Sequence, residues 1–269
     1  MSLTCFIKQQ KRKSTSANKA AGKQKPVRTF SMDITIPYYD AQRNFTASPG
    51  TILRYVENAA AEHCAEIGWD IPRLMEHGYA WILSKGQLEM KRYPRYRENF
   101  SIETWISERS AVHTWREYQI IDSRGELIGA SRGNWVFVDT ARRRPVKIID
   151  DFIRYWPLNP VRSINREIPK RVTGPEVPDS RVDFPVRRGD IDTNKHVNNV
   201  RYLEWALESL PEEWLESKEL SYIEGCFKHE THYGNDIVSV LQHRDKGFIH
   251  SIVDKDDGRE LAAALSEWR

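Results

Sequence analysis

From Thr51 to Asp70 the chain reads TILRYVENAAAEHCAEIGWD, and Ile52, Val56, Ala59, Ala60 and Cys64 recur three or four residues apart. That period places them on one face of a helix. The helix enters behind Pro49 and Gly50 and stops near Gly68. The stretch 71–81, IPRLMEHGYAW, reads as a second short helix or an irregular turn. The rhythm then changes to a period of two in WILSKGQLEMKRY, NFSIETWISERS and VHTWREYQIIDSRGELIGASRGNWVFVD. Glu103, Trp105 and Ser107 face one way, with Ile102, Thr104 and Ile106 opposite. Asp122-Ser-Arg-Gly125 is a hairpin turn between two such strands. One long helix followed by an antiparallel sheet is predicted.

The second half repeats this order. VDFPVRRGDID parallels MDITIPYYDAQ, and RYLEWALE at 201 parallels RYVENAAA at 54, an offset of 147. Trp268 parallels Trp135 at an offset of 133, so the second copy is more compact. Such self-similarity marks an internal duplication. Each copy hides one sheet face by curling around its helix, and joining the copies covers sheet edges. The expected divisions are a basic extension over 1–30, a first repeat over 31–150, a linker over 151–178 and a second repeat over 179–269. The linker is proline-rich and long for a loop, so it should pack across the first repeat.

The chemistry concentrates at RRGDIDTNKHVNNVRYLEWALES, residues 187–209. Read as extended chain, Asp190, Asp192, Asn194 and His196 share one face. Helical spacing then takes over at Val200, Leu203, Leu207 and Leu210, with Asn194 or a neighbour as the cap. Aligning the copies at 147 puts Ala47 opposite Asn194 and Pro49 opposite His196, so only the second copy carries polar chemistry here. Histidine exchanges a proton near neutral pH, a carboxylate such as Asp192 fixes its tautomer, and an Asn amide donates to a developing oxyanion. The missing base is offered downstream in GCFKHETHYGNDIVSV. On a strand, Lys228, Glu230 and His232 share a face, and Glu230 serves as general base or nucleophile. His229 and His232 fall on opposite faces of such a strand, which argues against a metal site. The other histidines, His63, His77, His113, His243 and His250, share no spacing.

Composition narrows the class. The formal net charge of +3 is uneven: residues 1–30 hold eight Lys or Arg and no acid, leaving 33 basic and 38 acidic groups elsewhere. That basic, hydroxyl-rich tail is expected to be disordered. It reads as a targeting segment, a contact for anionic partners, or a dispensable extension. Cys5, Cys64 and Cys226 form neither a metal spacing nor a disulfide framework. No apolar run is long enough for a membrane helix, and no phosphate-loop or nucleic-acid module signature is present. No cofactor is expected.

The segment GDIDTNKHVNNVRYLEW resembles the active-site segment of the acyl-acyl-carrier-protein thioesterases of bacteria and plant plastids. SPGTILRYVENAAAEHC and the closing SEWR extend the resemblance over most of residues 31–269. The resemblance implies an α+β tandem hot-dog fold, in which each repeat is a long helix wrapped by a curved antiparallel sheet. It also implies an enzyme that releases free fatty acid from acyl-carrier protein and ends chain elongation. Asp192, Asn194 and His196 match the family's positioning aspartate, carbonyl-side asparagine and essential histidine. Glu230 matches the glutamate of its Y-R-R-E-C stretch, whose cysteine is Thr231 here. Hydrolysis by activated water follows, with an acyl-Glu230 intermediate as the alternative. The acyl tail is expected in an apolar tunnel built mainly by the first repeat, with Val56, Ala60, Trp81, Ile82 and Trp105 as lining. Lys91-Arg92, Arg142 to Arg144 and Arg187-Arg188 are candidates for a basic rim facing acidic acyl-carrier protein. The rival functions are an acyl-coenzyme A thioesterase and a non-catalytic acyl-binding protein. A monomer, as a pseudo-dimer of repeats, or a homodimer fits. The expected location is the cytosol, with the plastid stroma as the alternative.

Overall fold

The computed structural model describes residues 28–169, 171–193 and 195–269. Most of the expected basic extension and Asn194 lie outside the described residues. The first repeat holds β1 (Phe30–Thr35), α1 (Pro49–Glu66), α2 (Ile71–Glu76), β2 (Tyr79–Met90), β3 (Asn99–Arg109), β4 (His113–Asp122), β5 (Leu127–Asp139) and the short β6 (Arg144–Pro145). After α3 (Asp150–Tyr155) and an extended crossing, the second repeat holds β7 (Ser180–Pro185), α4 (Asn199–Glu208), α5 (Glu212–Ser217), β8 (Leu220–Phe227), β9 (Asp236–Arg244), β10 (Gly247–Asp254) and β11 (Glu260–Trp268). The helices begin where their caps dictate. Ser48 Oγ accepts from Thr51 N at the start of α1, and Asn198 Oδ1 accepts from Val200 N at the start of α4. Gly68, with φ of 79°, turns the chain out of α1 as its sequence position suggests.

All strands join one antiparallel sheet in the order β1-β3-β4-β5-β2-β8-β11-β10-β9-β7, with β6 beside β5. The second half of that order is the first half reversed. The repeats therefore meet at β2 and β8, where Lys85 to Glu89 pair with Cys226 to Tyr222. This is the tandem hot-dog arrangement: each half of the sheet curls around its own long helix. Local landmarks set the offset between repeats at 150 ahead of the helices. The turns at Tyr38 and Arg188, the bridges Ala41–Ala47 and Ile191–Val197, and the caps Ser48 and Asn198 all obey it. The 147 offset read from RYVENAAA and RYLEWALE is displaced by three residues, because both helices place apolar residues at three-residue and four-residue steps.

The main core of the inner face crosses the boundary between the repeats. Val56, Ala59 and Ala60 of α1 pack on Leu88, Ile102 and Ile120, and the same cluster takes in Leu203 and Ile223 of the second repeat. The helices approach closely at Gly50, where a side chain would collide with Glu204 of α4. Arg54 of α1 reaches that same Glu204 at 2.5 Å.

The crossing segment first packs beside the C-terminal end of α1, sharing a cluster with Cys64 and Ile67, and then runs across the outer face of the first repeat. Phe152 and Trp156 enter an aromatic cluster with Trp69 and Phe137. Beyond them the chain is tied down by polar bonds, because extended backbone laid on a sheet face needs partners. Trp105 Nε1 donates to Val161 O at 2.8 Å and Gln87 Nε2 to Arg166 O at 3.0 Å. Ser163 donates through N and Oγ to Glu117 Oε2 at 3.0 and 2.8 Å. Glu117 is fully buried and its other oxygen takes Arg132 Nε at 2.8 Å. Further along, Ile168 and Val172 pack on Cys226 and Ala263 of the second repeat. Among the described residues no helix is long and apolar enough to cross a membrane.

Glu117→Ala takes from buried Arg132 its buried carboxylate, leaving only the half-exposed Glu108 at 3.2 Å, and frees the crossing segment. Removing one partner of such a pair should lower unfolding free energy by about 3–5 kcal/mol. Urea denaturation of the two proteins checks it; a change below ~1 kcal/mol would show the pair to be dispensable.

Candidate active site

The polar segment of the second repeat is a closed loop and not an extended stretch. Ile191 bridges Val197, Asp192 N donates to His196 O at 2.8 Å, and Lys195 N donates to Asp192 O at 3.1 Å. Lys195 takes φ of 65° to complete the turn. The first repeat builds the same loop: Gln42 N donates to Thr46 O at 2.8 Å, Phe45 N to Gln42 O at 2.9 Å, and Phe45 has φ of 62°. The backbone shape is thus common property, while Asp192 and His196 replace Gln42 and Thr46. This corrects the pairing of His196 with Pro49 and of Asn194 with Ala47.

Folding the loop separates Asp190 from its expected companions. Arg188–Asp190 is a 3-10 turn, and buried Asp190 accepts from Arg187 N at 2.8 Å and faces Arg201 at 3.5 Å. It is structural. Asp192 Oδ1 accepts from His196 N at 3.4 Å, inside the loop. Of the expected cap, Asn194 or a neighbour, the structure has Asn198 in that role. Asn198 Nδ2 also donates to Glu57 Oε2 of α1 at 3.0 Å.

The partner segment starts where β8 ends at Phe227, so Glu230 and His232 do not lie on a strand. Other bonds hold it. Lys228 N and His229 N donate to Leu261 O at 2.8 and 3.1 Å, and Val197 N donates to Thr231 O at 3.4 Å. The result brings Glu230 Oε2 to 3.3 Å from His196 Nδ1. Arg143, from the turn after β5, pairs with the other carboxylate oxygen. The His232 ring stands 5.3 Å from that of His196. Burial lowers the His196 pKa below its ordinary value, and the charges of His232 and Arg143 push the same way while Asp192 opposes them. A neutral imidazole beside a carboxylate can accept and return a proton. Thr231 is buried, its N donating to Tyr202 Oη at 3.1 Å and its Oγ1 accepting from Asn235 at 3.1 Å. It is committed to holding this segment in place.

An apolar cavity lies at the junction of the repeats. Leu53, Val56 and Leu88 border it from the first repeat, Leu203, Ile223 and Phe227 from the second, and Glu57 shares the wall. Of the expected lining, Val56 borders it. Ala60 is packed in the core. Trp81 packs at a tilt against Phe137 and edge-on to Phe152, with ring centroids 4.8 and 5.4 Å away. Ile82 is 44% exposed, and Trp105 is bonded to the crossing segment. The crossing segment explains the difference. Phe152 and Trp156 fill the end of the first repeat that Trp81 faces, while the cavity lies nearer the second repeat. The expected basic rim is partly consumed internally. Arg92 binds Glu98 and Asp122 at 2.7 Å each, Arg143 binds Glu230, and Arg188 lies 4.3 Å over Tyr233.

Glu57 and Arg143 are the contributors that the sequence does not single out. Glu57 is 141 positions from Asn198 and sits in a helix with other charged residues. Arg143 lies among three consecutive arginines. Only the pairing of β2 with β8 carries either to the site.

Comparison with known proteins agrees with this architecture. A relative from Arabidopsis thaliana, oleoyl-acyl carrier protein thioesterase 1, is 27% identical over 86% of this chain and 73% of its own length. The oleoyl-acyl carrier protein thioesterase of Coriandrum sativum is 30% identical over 76% of this chain, which spans 59% of that relative. An acyl-ACP thioesterase crystal structure from Bacteroides thetaiotaomicron superposes with a TM-score of 0.77 at 23% identity, covering 90% of this chain and 98% of that one. The 12:0-ACP thioesterase of Umbellularia californica gives 0.78 at 20% identity, covering 90% and 97%. Residues 27–156 match the acyl-ACP thioesterase N-terminal domain and residues 176–269 the acyl-ACP thioesterase C-terminal domain. The chain belongs to the acyl-ACP thioesterase family.

Proposed function

We propose that this chain hydrolyses fatty acyl-acyl-carrier-protein to free fatty acid and holo-acyl-carrier-protein, with Asp192, Asn194, His196 and Glu230 as the working residues. The observation that carries the site assignment is the contact of Glu230 Oε2 with His196 Nδ1 at 3.3 Å, made by two segments that no secondary structure joins. Glu230 takes a proton from water as the oxygen attacks the thioester carbonyl carbon. The carbonyl oxygen becomes an oxyanion, for which the Asn194 amide is the intended donor; that residue lies outside the described ones. Collapse breaks the carbon–sulfur bond, and the His196–Glu230 pair returns the proton to the departing thiolate. Asp192 orders the loop through the His196 backbone and influences His196 electrostatically.

The apolar lining of the cavity supports an apolar acyl group, and the family and relatives' names support a fatty acyl chain on acyl-carrier protein. Both repeats contribute to the cavity, and Arg143 of the first reaches Glu230 of the second, which supports a single chain as the catalytic unit. The chloroplast location of the plant relatives supports the plastid stroma as the working compartment.

Thiol release from acyl-acyl-carrier-protein of C8 to C18 tests the reading. Glu230→Gln should reduce kcat by about 10²–10⁴-fold, the usual worth of a positioned base. Turnover that survives the change removes Glu230 from the chemistry. The pH profile tests His196. Neutral His196 persists below its ordinary pKa, so the acid limb of kcat/KM should lie below pH ~6.5. His232→Ala removes a neighbour that disfavours the imidazolium, so the limb should move to higher pH. A limb that stays put belongs to another group.

A further inference from the structure

The repeat offset of 150 runs into the helices, where Leu53 of α1 answers to Leu203 of α4, and both border the cavity. On the same frame Glu57 answers to Leu207, which packs partly buried against the core. A carboxylate therefore stands where the sister repeat has leucine. Its surroundings do not favour it. It borders an apolar cavity, and burial pushes its pKa up to about 7; the Asp192 charge adds to this and the Asn198 bond opposes it. The titratable groups facing it are Asp192 from the active-site loop and Tyr118 from β4. Leucine is a ready alternative for packing, so stability alone gives no reason for the acid.

Its hydrogen-bond partner among the described residues explains the choice. Glu57 Oε2 accepts from Asn198 Nδ2 at 3.0 Å. Asn198 Oδ1 caps α4 at Val200 N, 2.8 Å away, and Asn198 N donates to Asp190 O at 3.1 Å across the base of the loop. His196 is two residues upstream. A single amide thus ties the first repeat's helix, the second repeat's helix start and the loop root together.

We propose that Glu57 is a positioning residue of the thioesterase site. It holds Asn198, and through it the loop bearing Asp192 and His196, against the α1 wall of the acyl cavity. The proposal rests on the hydrolase reading above. It couples how the acyl chain packs against α1 to where the imidazole stands.

The test compares Glu57→Leu with Glu57→Gln on the full chain. Glu57→Leu restores the sister repeat's residue and removes the bond; kcat should fall at least about tenfold with KM changed less than about threefold. In Glu57→Gln the amide oxygen still accepts from Asn198, and most of the lost kcat should return. Both variants should also remove one pH dependence of stability. The folded-state pKa is raised, so the folded protein binds the extra proton, and wild-type stability falls as pH rises from 4.5 to about 7. A Glu57→Leu enzyme with wild-type kcat overturns the proposal, as does a Glu57→Gln enzyme no better than Glu57→Leu. If Glu57→Leu does not fold, Asn198→Ala removes the same bond from the other side. Adding Glu57→Ala to it should then cost nothing more, and additive losses overturn the proposal. Should wild type turn over no acyl thioester, the hydrolase reading fails and the structural claim is still decided. The His196 titration, followed by NMR, must then shift in whichever of Glu57→Leu and Asn198→Ala folds, and an unmoved titration overturns the proposal.

Discussion

The pairing of β2 with β8 is the interaction on which the rest depends. Five residues from each strand pair across it. That ladder makes one sheet from two repeats, and it satisfies backbone groups that would otherwise be exposed at two edges. It also brings α1 beside α4, so that Gly50 meets Glu204 and Asn198 meets Glu57. The cavity and the loop are then shared property. Neither repeat alone carries Leu53 beside Leu203, or Arg143 beside Glu230.

Within that symmetric frame, function rests on departures from symmetry. The loop before each helix has the same hydrogen bonds and the same left-handed residue, at Phe45 and at Lys195. One copy fills the frame with Gln42 and Thr46, the other with Asp192 and His196. The helices repeat the lesson at Glu57 and Leu207. A duplicated backbone gives two equivalent places; side-chain substitution makes one a site and leaves the other as wall.

The crossing segment shapes the cavity indirectly. By burying Phe152 and Trp156 at the far end of the first repeat, it closes off the space beside Trp81. By bonding Ser163 to Glu117, it keeps a charged pair on the sheet's outer face away from solvent. The expected lining residues were chosen by alternation along β2 and β3. Alternation tells which face a residue takes, and it does not tell what already occupies that face.

Local pattern in the sequence was enough to determine the long helix entering behind Pro49 and Gly50, the alternating strands, the duplication and the Asp192-to-His196 segment. Each depends on spacing within a few residues or on similarity between two stretches, and both are visible along a line. The family followed from the same motifs. Tertiary structure alone decided that Asp190 leaves the polar group, that Asn198 and not Asn194 caps α4, that Glu230 meets His196 without a strand, and that Glu57 and Arg143 come to the site. Those outcomes depend on loop closure and on contacts between residues 34 to 141 positions apart. Their energies are set by burial and by partners that no local period records.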